Sequence, residues 1–129
     1  MKIKFVIPIA PVPKKNSSRI LLRATGKPFV APSEQYKRYE SQAGWFLRPA
    51  PPRPIDYPVT VKCLFFVPDK RRRDLTNLLE AVDDVLVENH ILADDCYAIL
   101  ASHDGSRVFV DKTKPRTEIY IEEYEGEQQ

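Results

Sequence analysis

The run from Val59 to Val67, Val-Thr-Val-Lys-Cys-Leu-Phe-Phe-Val, restricts the fold more than any other stretch of the chain. Successive side chains of a strand point to opposite faces, so Val59, Val61, Cys63, Phe65 and Val67 share one side. Leu64 and Phe66 make the other side apolar too, which puts the strand in the middle of a sheet rather than at its rim. Pro68 ends it. Such a strand needs partners. Lys2 to Ile9 supplies one by alternation, with Ile3, Phe5, Ile7 and Ile9 on one face, before Pro8, Pro11 and Pro13 break the pattern. Ile20 to Leu22 and Pro28 to Ala31 read as short strands about the turn Thr25-Gly26-Lys27. Tyr97 to Ala101, Val108 to Val110 and Thr117 to Tyr124 read as further strands.

Two segments carry helical spacing instead. Ser33 is a good N-cap, and Tyr36, Tyr39, Ala43, Phe46 and Leu47 follow at the period of a helix over 34–47. That spacing assigns Tyr36, Tyr39, Trp45 and Phe46 to core or interface. Pro49, Pro51, Pro52, Pro54 and Pro58 then forbid helix and mark a rigid loop. From Leu75 to about Asn89, the residues Leu75, Leu78, Leu79, Val82, Val85 and Leu86 form one apolar stripe. Asp74 stands at the N-cap, where its carboxylate meets the positive end of the helix dipole. His90 falls where a cation favours the other end. The 129 residues are expected to form a single α+β domain. In it a mixed sheet is covered mainly on one side by the helices near 34–47 and 75–89.

Composition removes several classes of function. No run approaches the ~18 apolar residues of a membrane span, and the alternating start Met1-Lys2-Ile3-Lys4-Phe5 does not read as a signal peptide. The expectation is a cytoplasmic protein with no membrane partner and no small-molecule cofactor. Two cysteines, Cys63 and Cys96, give neither a disulfide framework nor the short spacing of a zinc site. The net charge of +2 conceals an asymmetry. Residues 1–48 carry ten Lys or Arg and two acids, whereas 49–129 carry ten bases and sixteen acids. That suits a chain that attracts a polyanion while holding cations elsewhere; pairing of the two sets across the fold is the other reading.

Eight of the eighteen acids lie between Asp69 and Asp95. Asn77, Glu80 and Asp84 fall roughly 60–120° around the helix from Asp74, away from the apolar stripe, and Asp94-Asp95 comes just past the helix end. These acids are not interleaved with Lys at four-residue spacing, so they do not serve as helix ion pairs. The run Lys70-Arg71-Arg72-Arg73 abuts Asp74. Clustered carboxylates repel unless a cation is bound, oxygen-only ligands select a hard ion such as Mg²⁺ or Mn²⁺, and adjacent guanidinium groups hold phosphates. Lys14, Lys15 and Arg19 are candidates for a second phosphate-contacting surface. His103-Asp104 has the composition of a general base pair, but Asp104-Gly105 reads better as a hairpin turn.

The stretch Pro68-Asp69-Lys70-Arg71-Arg72-Arg73-Asp74-Leu75-Thr76-Asn77-Leu78-Leu79-Glu80-Ala81-Val82-Asp83-Asp84-Val85-Leu86, followed by Ile91-Leu92-Ala93-Asp94-Asp95, resembles the signature of the RusA family of Holliday-junction resolvases. The start Pro11-Val12-Pro13-Lys14-Lys15-Asn16 resembles the family's proline-rich, basic N-terminus, and Ser33 to Tyr39 its entry into a helix. The resemblance implies a Mg²⁺-dependent endodeoxyribonuclease, a homodimer that binds four-way DNA junctions and nicks two strands symmetrically. By position, Asp74 and Asp95 match metal-binding acids, Asp94 the acid beside the second, and Asn77 and Asp84 family positions in the helix. The implied set is then Asp74, Asp94, Asp95 and Asp84 on the metal, Glu80 in the catalytic group, Thr76 and Asn77 in support, and Lys14, Lys15, Arg19, Lys70, Arg71, Arg72 and Arg73 on DNA. Two positions depart from the family's pattern: Thr76 stands in place of a third aspartate, and Glu80 in place of a catalytic lysine. A non-catalytic junction binder and an acidic interaction module are the competing readings.

Overall fold

The computed structural model describes residues 1–14 and 18–126, with side chains for all of these except 18–21 and 29–32. In chain order the strands are β1 (Lys2–Ile7), β2 (Ser18–Leu22), β3 (Pro28–Pro32), β4 (Val59–Val67), β5 (Leu100–Ser102), β6 (Arg107–Val110) and β7 (Arg116–Glu123). The helices are α1 (Glu34–Ala43), continued by a 3₁₀ turn over Gly44–Phe46, and α2 (Leu75–Glu88). The principal sheet has five strands in the order β1-β7-β4-β5, with β6 also paired to β4. It is mixed: β1 and β7 run antiparallel to their neighbours, while β5 and β6 run parallel to β4. β2 and β3 form a separate hairpin.

β4 lies where its two apolar faces require, between β7 on one side and β5 and β6 on the other. Its alternation is complete, with Val59, Val61, Cys63, Phe65 and Val67 closed to solvent and the residues between them half-buried. The closed face joins Phe5, Ile7, Ile119 and Ile121 of the neighbouring strands, and α1 and α2 cover it through Tyr36, Tyr39, Leu78, Val82, Val85 and Leu86 in one core. Burial at Cys63 also pushes its thiol pKa up, so it behaves as a small apolar side chain. Among the described residues both cysteines are free thiols, Cys63 buried and Cys96 exposed. No described helix is long and apolar enough to cross a membrane.

Ser33 caps α1 as its sequence position predicts, accepting from the Tyr36 N–H at 3.1 Å. The helix stops earlier than the apolar spacing suggests. At Gly44 it tightens to a 3₁₀ turn, which breaks the 3.6-residue phase. Tyr36 and Tyr39 are therefore buried as expected, while Trp45 swings out to 74% exposure and Phe46 to 40%. Glycine is required there for a close approach: a β-carbon at position 44 would lie 2.5 Å from Oδ1 of Asn89, the residue that ends α2.

Two strand expectations also shift. Cys96 to Ile99 is a turn, closed by the Ile99 and Leu100 N–H groups on the Cys96 carbonyl at 3.0 and 2.8 Å, and the strand begins only at Leu100. Residues 103–106 do turn, with Gly105 at φ 87° and Ser106 N–H on the His103 carbonyl. They do not close a hairpin, because β5 and β6 both pair with β4 and not with each other.

Leu86 is fully buried beneath β4 and its backbone carbonyl receives the N–H groups of Ile91 and Leu92. Leu86→Ala is expected to destabilise the fold by about 2–5 kcal/mol, read as a lower urea midpoint with an unchanged slope.

Candidate active site

The loop from Pro68 to Arg73 delivers its cations through a single carboxylate. Asp69 accepts the Arg71 N–H at 2.9 Å and pairs with the Arg73 guanidinium at 2.9 Å. Arg73 also donates to the carbonyls of Asp69 and Arg71, both at 3.1 Å. The Arg71 amide and then the Arg73 guanidinium hold the Asp69 carboxyl below its usual range. Arg73 is thereby committed to shaping the loop, and its side chain is only 15% exposed. Arg71 and Arg72 project into solvent, with side chains 87% and 92% exposed. Lys70 is exposed too.

Asp74 has the extended backbone of an N-cap, φ −93° and ψ 124°, but its side chain makes no capping bond. One oxygen receives the Asn77 side-chain amide at 3.4 Å and the other lies 3.8 Å from Arg72 Nε. Both contacts are long, so the carboxylate is largely free. Past α2, buried Ile91 and Leu92 anchor the chain: Ile55 N–H donates to the Ile91 carbonyl and Ala93 N–H to the Ile55 carbonyl, both at 2.9 Å. Residues 93–98 beyond this anchor are exposed. Asp94 Oδ1 accepts the Asp95 N–H at 2.8 Å, and Tyr97 is 89% exposed. Among the described residues no group of three or more His, Cys, Asp or Glu is arranged to hold a metal ion. The donor chemistry of Asp74, Asp94 and Asp95, oxygen-only and open to solvent, nevertheless suits a hard divalent cation.

Asp83 and Asp84 of α2 are already engaged. Asp84, a metal-ligand candidate from the sequence, pairs with Lys14 and accepts the Tyr36 hydroxyl at 3.4 Å. The Asp84 hydrogen bond raises the Lys14 pKa, with Glu80 and Glu40 adding their charge. Asn77 does not share the solvent face assigned to it. It is 6% exposed, and its carbonyl accepts the Lys14 N–H at 3.2 Å. The proline-rich N-terminal segment therefore docks on this face of α2. Lys15 lies outside the described residues, as does the side chain of Arg19 on β2. His90 ends the helix through its backbone, at φ 60°, while Asn89 caps by donating to the Val85 carbonyl at 2.8 Å.

One pair in this region escapes a reading of the sequence. His103 places Nδ1 2.9 Å from the Val61 carbonyl and Nε2 3.0 Å from Asp83 Oδ2. A carbonyl only accepts, so Nδ1 carries a proton. The Nε2–Asp83 contact then holds a second proton, either on an imidazolium facing a carboxylate or on a carboxyl group facing a neutral ring. Burial raises the Asp83 pKa, and the nearby charges of Asp95 and Asp84 push the same way against the His103 bond. Burial alone would lower His103, but the Asp83 bond and charge outweigh it and its pKa is raised. The second oxygen, Asp83 Oδ1, is buried without a hydrogen-bond partner. The two residues are twenty apart and meet only because β5 returns beside β4, so no local spacing signals them. The repulsion from Asp95 also shows that the turn after α2 folds back toward the helix's own acids.

A cleft of about 800 Å³ lies elsewhere, between the start of β1 and the proline-rich segment Pro49–Tyr57. A mixed sheet carrying a helix that starts at an exposed carboxylate, just after a loop with two exposed arginines, defines a small α+β protein with an open, charged surface at the head of that helix. Comparison with known proteins narrows the class. The family model described as Endodeoxyribonuclease RusA matches residues 8–122. The crossover junction endodeoxyribonuclease RusA of Aquifex aeolicus (strain VF5) is 30% identical over 95 residues, covering 73% of this chain and 72% of that protein. The chain belongs to the RusA endodeoxyribonuclease family.

Raised pKa values fix the sign of the pH dependence. The stabilisation from a His103 whose folded pKa exceeds its ordinary 6.5 is complete below that value and is lost as pH climbs through the raised one. His103→Gln should therefore cost more stability below pH 6.5 than above the raised value, and urea denaturation of both proteins across that range measures this.

Proposed function

We propose that the chain is a divalent-metal-dependent endonuclease that, as a homodimer, cuts branched DNA, four-way junctions above all, by paired nicks. The observation that carries this reading is the division of charge between β4 and the turn after α2. Asp69, Asp83 and Asp84 are each consumed by a basic partner, while Asp74, Asp94 and Asp95 are exposed, Asp74 with only a long 3.8 Å approach from Arg72, and Arg71 and Arg72 project into solvent. Family membership supplies the same direction independently.

Asp74, Asp94 and Asp95 would hold Mg²⁺ or Mn²⁺. Such an ion supplies Lewis-acid activation of water and of the phosphodiester when bound. The chain's own contribution is largely positional. Asn77, buried under the N-terminal segment, steadies the Asp74 carboxylate. Lys70, Arg71 and Arg72 take phosphate oxygens, Arg73 and Asp69 hold that loop in shape, and Lys15 and Arg19 are further candidates for phosphate contacts. Lys14, Asp84 and Tyr36 fasten the N-terminal segment to α2. Glu80 brings an additional negative charge where the family's pattern has a lysine, and Thr76 a hydroxyl where it has an acid; the transition-state cation then falls to the arginine loop. Phosphate contacts orient a duplex without reading its bases, which suits recognition of a branch by shape.

Asp74→Asn should abolish Mg²⁺-dependent cleavage of a synthetic four-way junction, a loss beyond the ~10–100-fold typical of an outer-shell partner, while junction binding stays near wild type. Unchanged cleavage refutes the site; binding without cleavage in the wild-type protein refutes the enzyme in favour of a junction binder. A second measurement addresses the arginines. The salt dependence of junction binding should be steep, and Arg71→Ala with Arg72→Ala should flatten the log–log slope by about 0.9 per arginine.

A further inference from the structure

β6 forms an outer edge of the principal sheet, and all four of its residues are exposed. Three of them are apolar, Val108, Phe109 and Val110, at 39%, 39% and 46% exposure. An open strand edge is a template for pairing, and proteins ordinarily blunt one with lysine, proline or a bulge. β1, the edge at the other side, is blunted in that way, with Lys2 and Lys4 exposed along it. β6 is short and carries one charge, Arg107, but its other three residues put no lysine, proline or bulge along the edge.

Its backbone phase is fixed by β4. The Asp111 N–H donates to the Val67 carbonyl at 2.8 Å, and the parallel register sets Phe66 beside Phe109 and Val67 beside Val110. Residues 107, 109 and 111 therefore turn their peptide groups toward β4, and Val108 and Val110 turn theirs outward. On the face away from the helices Phe109 stacks on Phe66, centroids 5.1 Å apart and planes at 18°, and the Arg116 guanidinium lies 3.7 Å over the Phe66 ring.

We propose that β6 is the seam through which two copies of this chain join, pairing antiparallel about a two-fold axis at Phe109. The run Arg107-Val108-Phe109-Val110-Asp111 is complementary to itself in that register. Val108 of each copy meets Val110 of the other, and these are the residues whose N–H and C=O groups point outward. Arg107 faces Asp111 across the seam at both ends, and that carboxylate, already paired with Arg116 of its own chain at 3.0 Å, would take the second guanidinium as well. Phe109 meets its own copy on the axis in a non-hydrogen-bonded pair, with Cα atoms about 4.5 Å apart, and the Phe66–Phe109 stack continues across the junction. The two five-stranded sheets become one of ten strands, with both α2 helices on the same side, since the axis is perpendicular to the sheet. This deepens the homodimer of the proposed function and rests on that part of it alone, so a test without DNA or metal leaves the nuclease chemistry to stand or fall separately.

The test is a register-specific cross-link. In a Cys96→Ser background, Phe109→Cys should form a disulfide-linked dimer on mild oxidation, because that pair falls within disulfide reach. Arg107→Cys, whose counterpart is residue 111 rather than itself, should not. In parallel, Val110→Lys should sediment as a monomer with unchanged circular dichroism and thermal unfolding, against a dimeric parent. A parent protein that is monomeric at high concentration, a dimer that survives Val110→Lys, or a dimer in which Phe109→Cys stays reduced overturns the seam.

Discussion

The apolar stripe of α2 lies against a strand whose alternate residues, Val59 to Val67, are all closed to solvent, and that contact sets both ends of the helix at once. The N-terminal end follows β4 through the short arginine loop, so Asp74 emerges where the strand delivers it. The C-terminal end turns at Leu86, whose carbonyl gathers Ile91 and Leu92, so Asp94 and Asp95 emerge where the core stops. Burial of aliphatic side chains is non-directional, yet here it aims polar groups because the chain on either side of the helix is short and pinned.

Around this frame the ion pairs separate into groups that hold shape and groups left open. Arg73 closes the arginine loop on itself through Asp69, while Lys14 and His103 fasten the N-terminal segment and the sheet to α2 through Asp84 and Asp83. Pairs this exposed contribute little to stability, except where geometry is tight and water is displaced. The Asp83–His103 contact is the most sheltered of the three, with side chains 15% and 24% exposed. The basic N-terminal third and the acidic remainder of the chain therefore do pair in part, through Lys14 and Asp84, and the exposed arginine nearest Asp74, Arg72, comes from the loop before α2.

Much of the architecture was legible in the residues. The bounds of β4, the stripe of α2, the Ser33 cap and the turn at Gly26 follow from periodicity and local hydrogen-bonding chemistry, which depend on near neighbours alone. What was not legible depends on contacts between distant segments. α1 gives way to a 3₁₀ turn at Gly44, where the Asn89 side chain packs close in from the end of α2, and beyond that change of phase Trp45 is exposed. Cys96 to Ile99 has a strand's composition, but two amides converge on one carbonyl and close a turn. Asn77 looks solvent-facing on a helical wheel until the Lys14 segment covers it. In the candidate site, the open acids could be named from spacing and from the family's pattern, whereas Asp83 and His103 meet only after the β4–α2–β5 crossover has formed.

Asp74 occupies a capping position without capping. An aspartate there ordinarily turns inward and satisfies an amide of the first turn; this one keeps its oxygens facing out, so the helix begins with less support than its sequence offers. In the proposed site local stability and chemistry compete for the same carboxylate, and the missing cap is tolerated because Leu78, Val82, Val85 and Leu86 anchor the helix from below. Sites of this kind concentrate frustration at the residues that act, and adaptation of this chain toward greater thermal robustness has its freest scope away from the start of α2.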